Sequence, residues 1–320
     1  MQKALGPIQV PFGQPLHLPY QEFGRGKPLL SIVSGLHGDE YNGVYICGLL
    51  IEWLRRMELR SAYSLRGRIR ILPALNPLGL LTSERHWPFD RTDVDRVFPG
   101  YSQGETTQRL ASWVFELLRP SQCCVDLHSG NATFEELPQV LVFNSQPRAL
   151  DLAKAMGLPF VWIRRLNVYG EMSPQGLEVA GNVQGSLAFN LAQVGIEALV
   201  VRAGGGLRLD IHYCNQVLTA LIRLALSMGV ISGPPLEKTE APQIAPAQDF
   251  QSLHARFPGF FVPEIALGAT ARLGEPLGQV IDPLSGQLRE EITAPVAGVI
   301  VALRTHPVVL EGSLVARLLA

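Results

Sequence analysis

Two short motifs in this chain carry side chains that bind divalent metal ions in proteins. The first, H-G-D-E from His37 to Glu40, offers an imidazole and a carboxylate, and the second, D-L-H-S from Asp126 to Ser129, offers the imidazole of His128. Such nitrogen and oxygen ligands suit zinc, and a site with three protein ligands leaves a fourth position open for water. His37, Glu40 and His128 are therefore predicted to bind one Zn²⁺ ion per chain at a catalytic site.

Each motif follows a run of residues with strand character. Residues 29–33 and 123–127 are mainly apolar, and residues 44–59, after the first motif, have the pattern of a helix. Ligands of open α/β sheets bind beyond the carboxyl ends of the strands, so the three side chains are expected to meet at that edge. The spacing H-x-x-E is weak by itself. The alternative is a surface histidine, a glutamate at a helix start and a hydrogen-bonded histidine that bind no metal.

The order of the predicted elements indicates the fold class. Strand-like runs occupy residues 29–33, 68–75, 123–127, 139–143, 160–163 and 198–201. Helical stretches alternate with them at residues 44–59, 106–118, 148–156, 186–194 and 211–228. This alternation predicts an α/β fold with a mainly parallel mixed sheet and helices on both faces.

The sequence divides into three parts. Residues 1–230 are predicted to form a zinc-dependent catalytic domain, and the proline-rich residues 231–250 are predicted to be a linker. Residues 251–320 are short β-type runs broken by glycine, which predicts a small all-β, barrel-like domain. Within it, residues 294–299 are similar to the half-barrels of biotinyl and lipoyl carrier domains. The last lysine of the chain is Lys238, so no residue there can carry such a cofactor, and a packing or gating module is expected.

Composition excludes several classes of protein. The 320 residues are 47% hydrophobic, which is enough for a large core. The formal net charge is −1 and the chain has no long basic run, which argues against a nucleic-acid surface. No apolar stretch approaches the roughly 18 residues of a membrane span, and the N-terminus lacks the apolar core of a signal peptide. We expect a cytoplasmic protein with a small-molecule substrate and no nucleic-acid or membrane partner; assembly into a homo-oligomer is left open.

The cysteines are predicted to be buried free thiols. Their spacing matches no paired C-x-x-C metal module, and the neighbours Cys123 and Cys124 would face opposite sides of a strand. Free thiols are typical of a reducing compartment. The four residues are Cys47, Cys123, Cys124 and Cys214.

Longer motifs extend the metal-binding pattern to a family resemblance. Residues 35–43 read G-L-H-G-D-E-Y-N-G, residues 126–128 read D-L-H, and between them lie Asn76-Pro77, Arg85, and D-V-D-R-V-F-P-G at residues 93–100. In these ordered motifs the chain resembles the succinylglutamate desuccinylase/aspartoacylase family over most of its length. The resemblance implies a catalytic domain similar to zinc carboxypeptidases, often followed by a C-terminal β-barrel.

The resemblance also implies a reaction and roles for particular residues. In this family zinc polarises the acyl carbonyl and its own bound water, a glutamate takes the water proton, and arginines hold the substrate carboxylate. Arg85 and Arg96 match the family's arginines; the alternative is that they are structural or solvated residues of a long loop. The residues expected to bind substrate are Asn76, Arg85, Asp95, Arg96 and Ser129.

Two positions depart from the family pattern. The family's catalytic glutamate lies in a strand before a glycine pair, and in the matching residues 195–206 that place is taken by Arg202. A guanidinium cannot accept a proton near neutral pH, so Arg202 is not a general base, although it is suited to stabilise a tetrahedral oxyanion. Asp95 replaces an asparagine that helps to bind the substrate carboxylate, and a carboxylate at that place repels such a ligand.

The two departures change charge in opposite senses. They predict either an ion pair between Arg202 and Asp95 across the pocket, or a substrate with a different distribution of charge. A replacement for the missing base is expected among the acidic residues, with Glu171 first and Glu135 and Glu178 after it. The alternative is that these three are surface acids.

Two functions of different classes follow from these residues. The first is a zinc-dependent hydrolase (deacylase) that cleaves the amide bond of a small N-acyl amino acid or a related compound. The second is a catalytically impaired, metal-containing protein that binds a small molecule, because Arg202 has replaced the base. A third alternative is a carboxypeptidase for short peptides, which needs an open cleft. The complete set of three metal ligands favours the hydrolase, since buried ionisable groups are costly without a partner.

Overall fold

The computed structural model describes residues 2–9, 14–57, 62–164 and 183–320. Its helices are α1 (Asn42–Met57), α2 (Pro77–Thr82), α3 (Thr106–Leu118), α4 (Pro147–Met156), α5 (Leu187–Gln193) and α6 (Ile211–Ser227). The predicted helices are all present, with ends that shift by two residues or fewer. The short helix α2 adds to the predicted set; Asn76 caps its first turn and Pro77 opens it.

The strands fall into two groups along the chain. The first group is β1 (Gln2–Ile8), β2 (Leu16–Gly24), β3 (Leu29–Ser34), β4 (Ser64–Leu65), β5 (Arg68–Leu72), β6 (Cys123–His128), β7 (Phe134–Phe143), β8 (Phe160–Arg164), β9 (Glu197–Gly205) and β10 (Ile231–Ser232). The second group is β11 (Gln243–Pro246), β12 (Phe250–His254), β13 (Gly259–Pro263), β14 (Thr270–Ala271), β15 (Pro276–Ile281), β16 (Leu288–Thr293), β17 (Gly298–Arg304), β18 (Val308–Val309) and β19 (Leu314–Leu319).

One large sheet joins most of the described strands. It has 13 strands in the order β1-β2-β5-β3-β6-β9-β7-β17-β19-β12, with β8 beside β7, β11 beside β8 and β14 beside β17. At its centre β5, β3, β6 and β9 are parallel neighbours, whereas β2 and β7 run antiparallel to theirs. The predicted mixed sheet of the α/β fold is confirmed.

Helices cover both faces of this sheet. Helices α1, α4 and α6 pack in one apolar cluster that includes Leu30 and Ile32 of β3. Helices α3 and α5 pack on the other face in a second cluster that includes Val33. Every residue of β3 and of β6 is buried, as expected for central parallel strands covered on both sides. Burial on both faces fixes the register of these two strands, and with it the position of the loops that follow them.

Strand β7 is the place where the sheet divides. Its residues 134–136 pair with β17, and its residues 139–143 pair with β8. Between Glu136 and Gln139 the register against β9 shifts, and this irregularity contains Pro138. Proline cannot donate a ladder hydrogen bond and is accommodated where the ladder is interrupted. The predicted strand at residues 139–143 is therefore only the second half of β7.

The C-terminal strands form an all-β unit without closing into a barrel. Strands β13, β15, β16 and β18 make a separate four-stranded sheet, while β12, β14, β17 and β19 extend the large sheet. A third apolar cluster, with Phe261, Ile292 and Val315 among its members, fills the space between them. The all-β unit is as predicted, with two sheets in place of a barrel.

Residues 231–250 contain more regular structure than a linker requires. Strand β10 pairs with β4, and β11 pairs in parallel with β8, so this segment returns to the large domain. The limits drawn at residues 230 and 250 stay a prediction.

Two further predictions concern thiols and membranes. All four cysteines are buried free thiols, as predicted, and burial raises the pKa of Cys214 to about 11. Such a thiol is uncharged near neutral pH. Among the helices of the described ranges, none combines the length and the apolar character that crossing a membrane requires.

The loop that carries His37 packs against the segment that follows β5. The Gly38 N–H donates to the carbonyl oxygen of Arg85 at 3.3 Å. A Cβ atom at Gly38 would lie 2.1 Å from the backbone carbon of Gly79 and 2.2 Å from the carbonyl oxygen of Glu84. Neither backbone atom can rotate away, so glycine is needed where these two segments touch behind the first metal motif.

Gly38→Ala is expected to lower the free energy of unfolding by about 1–3 kcal/mol, because the added methyl group pushes the loop away from Gly79 and Glu84. Gly48→Ala is the matched control. Gly48 lies in α1 with open space at its Cβ position, so alanine there should raise stability by about 0.5–1 kcal/mol. Urea denaturation followed by circular dichroism measures both variants. If Gly38→Ala were as stable as the unaltered protein, the contact of Gly38 with Gly79 and Glu84 would not be what holds the loop.

Candidate metal centre

The three predicted metal ligands meet at the carboxyl ends of two central strands. Strands β3 and β6 are parallel neighbours with Ser34 opposite Leu127, so the loop with His37 and Glu40 lies beside the end of β6, where His128 is the last residue. One ligand atom from each of the three side chains lies within 4.8 Å of the other two, and all three side chains are buried. The parallel register of two buried strands therefore brings together the three ligands that the sequence predicts. His37, Glu40 and His128 are called the metal cluster below.

The two imidazoles are held in a defined orientation. The Nδ1 atoms of His37 and His128 lie 2.8 Å and 3.0 Å from the two carboxylate oxygens of Glu40. On the opposite side, the Nε2 atom of His37 lies 3.0 Å from Asp93 and that of His128 lies 3.1 Å from Asp126. When Nε2–H donates to these carboxylates, each Nδ1 lone pair faces the cluster. Histidines that bind metal are commonly oriented by a carboxylate in this way.

The charges around the cluster fit a divalent cation. Three carboxylates, those of Glu40, Asp93 and Asp126, are buried in contact with the two imidazoles. Burial opposes the charge of Glu40, but His37 and His128 outweigh it and hold the pKa of that carboxyl well below its usual range. Burying this many carboxylates requires positive charge among them. A metal ion would supply that charge, and imidazole and carboxylate are ligands that zinc accepts.

Protons on the two imidazoles also supply positive charge. Burial lowers the pKa of His128, but Asp126 and Glu40 outweigh it and raise that pKa well above its ordinary value. The pKa of His37 is also raised, since Glu40 and Asp93 outweigh its burial. A cation that binds here must therefore displace protons from imidazoles that hold them firmly.

The predicted substrate residues of the loop before α3 surround Asp93. Arg85 donates to Asp93 Oδ2 at 3.3 Å and lies 3.6 Å from Glu40, and Arg96 contacts the same oxygen at 3.2 Å. Both arginines line the cavity beside the metal cluster, and Asp95 does so as well. Burial and the charge of Asp126 raise the pKa of Asp95 to about 6. The binding roles predicted for these residues stay predictions.

Asn76 and Ser129 have different surroundings. Asn76 is fully buried and does not line the cavity; its amide oxygen caps α2 through Gly79 N–H at 2.9 Å. Asn76 therefore has a structural role as a helix cap, and the substrate contact expected from the sequence stays a prediction. Ser129 lines the cavity, and its backbone N–H donates to Glu40 at 3.1 Å. Its buried hydroxyl oxygen has no hydrogen-bond partner among the described residues.

Arg202 lies beside the metal cluster but does not pair with Asp95. Strand β9 pairs with β6 so that Arg202 stands opposite His128, one strand away from a predicted ligand. Its guanidinium Nη1 lies 3.4 Å from Oε1 of Glu136, whereas Asp95 accepts from the Leu187 N–H at 2.9 Å. No ion pair between the described residues Arg202 and Asp95 is formed, so that prediction is wrong. The reason is that β7, next to β9, supplies a nearer carboxylate.

Glu136 is the pocket residue that the sequence reasoning missed. It is only 5% exposed, it lines the cavity, and Gln139 donates to its other carboxylate oxygen at 2.7 Å. The signal in the sequence is Pro138, which marks an irregular strand where a side chain can be turned toward a site. Among the acids predicted to replace the base, Glu135 pairs with Arg208 at 2.5 Å. The other two, Glu171 and Glu178, lie outside the described residues.

The cluster and these side chains line one cavity. Its volume is about 650 Å³, enough for a small molecule. The C-terminal unit contributes Arg304, Leu314 and Arg317 to its wall. The cavity therefore has the predicted metal ligands, an arginine-rich lining and walls from both parts of the chain.

Comparison with known proteins places this chain in a family. A family model described as the succinylglutamate desuccinylase/aspartoacylase catalytic domain matches residues 27–227. A curated relative, the N-alpha-acetyl-L-2,4-diaminobutyric acid deacetylase of Halomonas elongata, is 33% identical over 150 residues. That alignment covers 45% of this chain and 42% of the relative, so the chain matches less than half of that protein's length.

Solved structures share the fold along nearly the whole chain. A succinylglutamate desuccinylase/aspartoacylase from Rhodobacter sphaeroides has a TM-score of 0.82 and 22% identity, covering 99% of this chain and 95% of its own. The product-bound ectoine utilization protein EutE from Ruegeria pomeroyi has a TM-score of 0.79 and 23% identity, covering 95% of this chain and 89% of its own. At such identities these likenesses concern the fold.

Fold and site together define an α/β protein with a candidate metal centre. Its mixed sheet carries a buried His-Glu-His cluster at the carboxyl ends of two parallel strands, and the curated relative is a deacetylase. The chain belongs to the succinylglutamate desuccinylase/aspartoacylase family.

Asp93→Asn is expected to weaken Zn²⁺ binding about 10- to 100-fold, because the amide no longer orients His37 or contributes charge to the cluster. Asp151→Asn, at an exposed position of α4, is the matched control and should bind Zn²⁺ as the unaltered protein does. Competition with a chelating dye gives both affinities. Unchanged affinity in Asp93→Asn would show that His37 does not depend on this carboxylate for metal binding.

Proposed function

We propose that this protein is a zinc-dependent hydrolase that removes the acyl group from a small N-acyl amino acid or a related amide. The observation that carries the proposal is the arrangement of His37, Glu40 and His128, with both imidazoles oriented by buried carboxylates, in a cavity of about 650 Å³. The cavity size suits a small amide, and the deacetylase relative acts on an N-acetyl amino acid according to its name.

The residues of the chain have separate tasks in this reaction. His37, Glu40 and His128 would hold the zinc ion, which supplies a Lewis acid and lowers the pKa of its bound water from 15.7 to about 7. Arg85 and Arg96 orient an anionic group of the substrate, since guanidinium binds carboxylate in a paired geometry.

Arg202 stabilises negative charge in this proposal. Its position opposite His128 places a cation next to the metal cluster, where the tetrahedral intermediate develops an oxyanion. Because guanidinium stays protonated, the proton of the attacking water needs another acceptor. We propose Glu136, whose carboxylate contacts Arg202 and lines the same cavity. The glutamate predicted first from the sequence, Glu171, remains the competing candidate.

Glu136→Gln is expected to lower kcat about 10² to 10⁴-fold, because an amide cannot accept the water proton. The binding of Zn²⁺ should stay unchanged, since Glu136 is not among the ligands. Glu116→Gln, at an exposed position of α3, is the matched control with unchanged turnover. Steady-state kinetics on a panel of N-acyl amino acids measures each variant. Loss of turnover in Glu171→Gln with turnover kept in Glu136→Gln would assign the base to Glu171.

A binding protein without turnover is the second candidate. Arg202 favours it, because a guanidinium at the place of the family's glutamate cannot accept the proton of the attacking water. Stoichiometric Zn²⁺ in the purified protein, with no hydrolysis of any N-acyl amino acid in the panel, would select this function. Hydrolysis of short peptides in preference to N-acyl amino acids would instead select the carboxypeptidase.

The affinity for Zn²⁺ is expected to rise with pH from 6 to 8. Zinc displaces the protons of His37 and His128, whose pKa values lie above the ordinary value for imidazole, so protons compete more strongly at lower pH. Calorimetric titration at pH 7 in two buffers of different ionisation enthalpy should show the release of about one to two protons per zinc. Affinity that is independent of pH would contradict the proposed ligands.

Substitution of one predicted ligand tests whether these residues bind the zinc ion. His128→Ala should abolish stoichiometric zinc binding, whereas His212→Ala should preserve it, because His212 lies on the exposed surface of α6 and bonds only Gln216 among the described side chains.

Cytoplasmic localisation, the small-molecule partner and assembly into a homo-oligomer stay predictions.

A further inference from the structure

Arg317 of β19 is a buried cation that faces the cavity. Its side chain is 3% exposed and lines the same cavity as the metal cluster. Its Nε atom has no hydrogen-bond partner, and no ion pair among the described residues includes Arg317. Its guanidinium lies 5.1 Å from the centre of the Trp162 ring. Contact with an aromatic face attracts a cation but leaves its N–H donors available to an anion.

A second arginine and a histidine lie near Arg317. Arg164 lies 5.8 Å from the centre of the same Trp162 ring and also lines the cavity. On the neighbouring strand β12, burial and the charge of Arg317 lower the pKa of His254. Glu136 and Arg317 occupy matching positions on β7 and β19, with Ala302 of β17 between them. Two strand spacings separate the two backbones by roughly 10 Å, and among the described residues Glu136 pairs with Arg202 and not with Arg317.

Arg304, the other arginine of the C-terminal unit at this wall, has a structural explanation that Arg317 lacks. The guanidinium of Arg304 donates to the carbonyl oxygens of His306, Leu314 and Val308 at 3.0 Å, 3.2 Å and 2.8 Å. These bonds tie together the turn and strands of the C-terminal unit. Arg317 makes no such bonds to the described residues, and a buried guanidinium without compensation destabilises a protein.

We propose that Arg317 binds a carboxylate of the substrate, at a position separate from the amide bond that is cleaved. The site would be the part of the cavity wall formed by Arg164 and by Arg317 of the C-terminal unit, whose guanidinium lies over the Trp162 ring. It would select N-acyl amino acids with an additional anionic group. A planar guanidinium binds carboxylate with two parallel hydrogen bonds, which fits this ligand better than a neutral one. The identity of the ligand as substrate rests on the proposed hydrolase function, whereas the binding site does not.

Two matched pairs of compounds test the site by binding. N-succinyl-L-alanine and N-butyryl-L-alanine differ by a carboxylate in place of a methyl group on the acyl half, and N-acetyl-L-glutamate and N-acetyl-L-norvaline differ in the same way on the amine half. Calorimetric titration of the zinc-loaded protein gives Kd, or kinetics give KM where a compound is hydrolysed. In at least one pair, the anionic compound should bind about 10- to 100-fold more tightly.

Variants assign that preference to one residue. Arg317→Met keeps the length of the side chain without the charge and should reduce the preference to near one, while Arg317→Lys should keep part of it. Arg272→Met, at an exposed position of the C-terminal unit, is the matched control with the full preference. Thermal denaturation without ligand is an independent readout: Arg317→Met should melt above the unaltered protein, since an uncompensated buried charge is removed.

The outcomes separate this site from the proposed function. A preference that is lost in Arg317→Met supports the site even if no compound is hydrolysed, in which case the hydrolase proposal fails alone. Equal binding within both pairs, or a preference that persists in Arg317→Met, overturns the site even if hydrolysis is observed. If Arg317→Met does not fold, the site is tested by the preference of the unaltered protein for the anionic compound and by the reduction of that preference in Arg317→Lys.

Discussion

The site depends on the burial of the Glu40 carboxylate between two imidazoles. Its oxygens contact His37 and His128, and each imidazole contacts a further buried carboxylate on its other side. This alternation of carboxylates and imidazoles is stable only if every side chain is present. Loss of one partner leaves a charged group unpaired in the protein interior, where the dielectric constant is low. The parallel register of β3 and β6 therefore has a chemical consequence as well as a structural one: it sets the contact between Glu40 and His128.

The division of the sheet at β7 connects this cluster to the rest of the cavity. The second half of β7 continues the large domain through β8, and the first half leads to β17 and the C-terminal unit. Glu136 lies at the division and contacts Arg202, which stands opposite His128. The same sheet then continues to Arg317. The C-terminal unit is thus a wall of the site, and the packing or gating role expected from its sequence stays a prediction.

The sequence predicted the parts of the structure that are set by local pattern. The central strands and most helices follow from apolar periodicity, and the metal ligands follow from motifs at strand ends, because both signals are carried by residues close together in the chain. Pro138 marks an irregular strand beside Glu136, but local pattern could not assign Glu136 or Arg317 to the site, since their environments depend on strand pairings far apart in sequence. Asp95 and Arg202 were paired on charge alone, yet Leu187 N–H and Glu136 are their nearer partners.

Arg202 changes the chemistry of the pocket without removing a carboxylate from it. A glutamate on β9 would stand opposite His128; in this chain an arginine stands there, and the adjacent strand supplies the carboxylate of Glu136. The pair keeps a carboxylate near the metal cluster and adds a cation where negative charge would develop during the proposed amide hydrolysis. Arg202 itself cannot accept a proton. Whether a nearby carboxylate takes the proton of the attacking water therefore decides whether the pocket turns over substrate or only binds it.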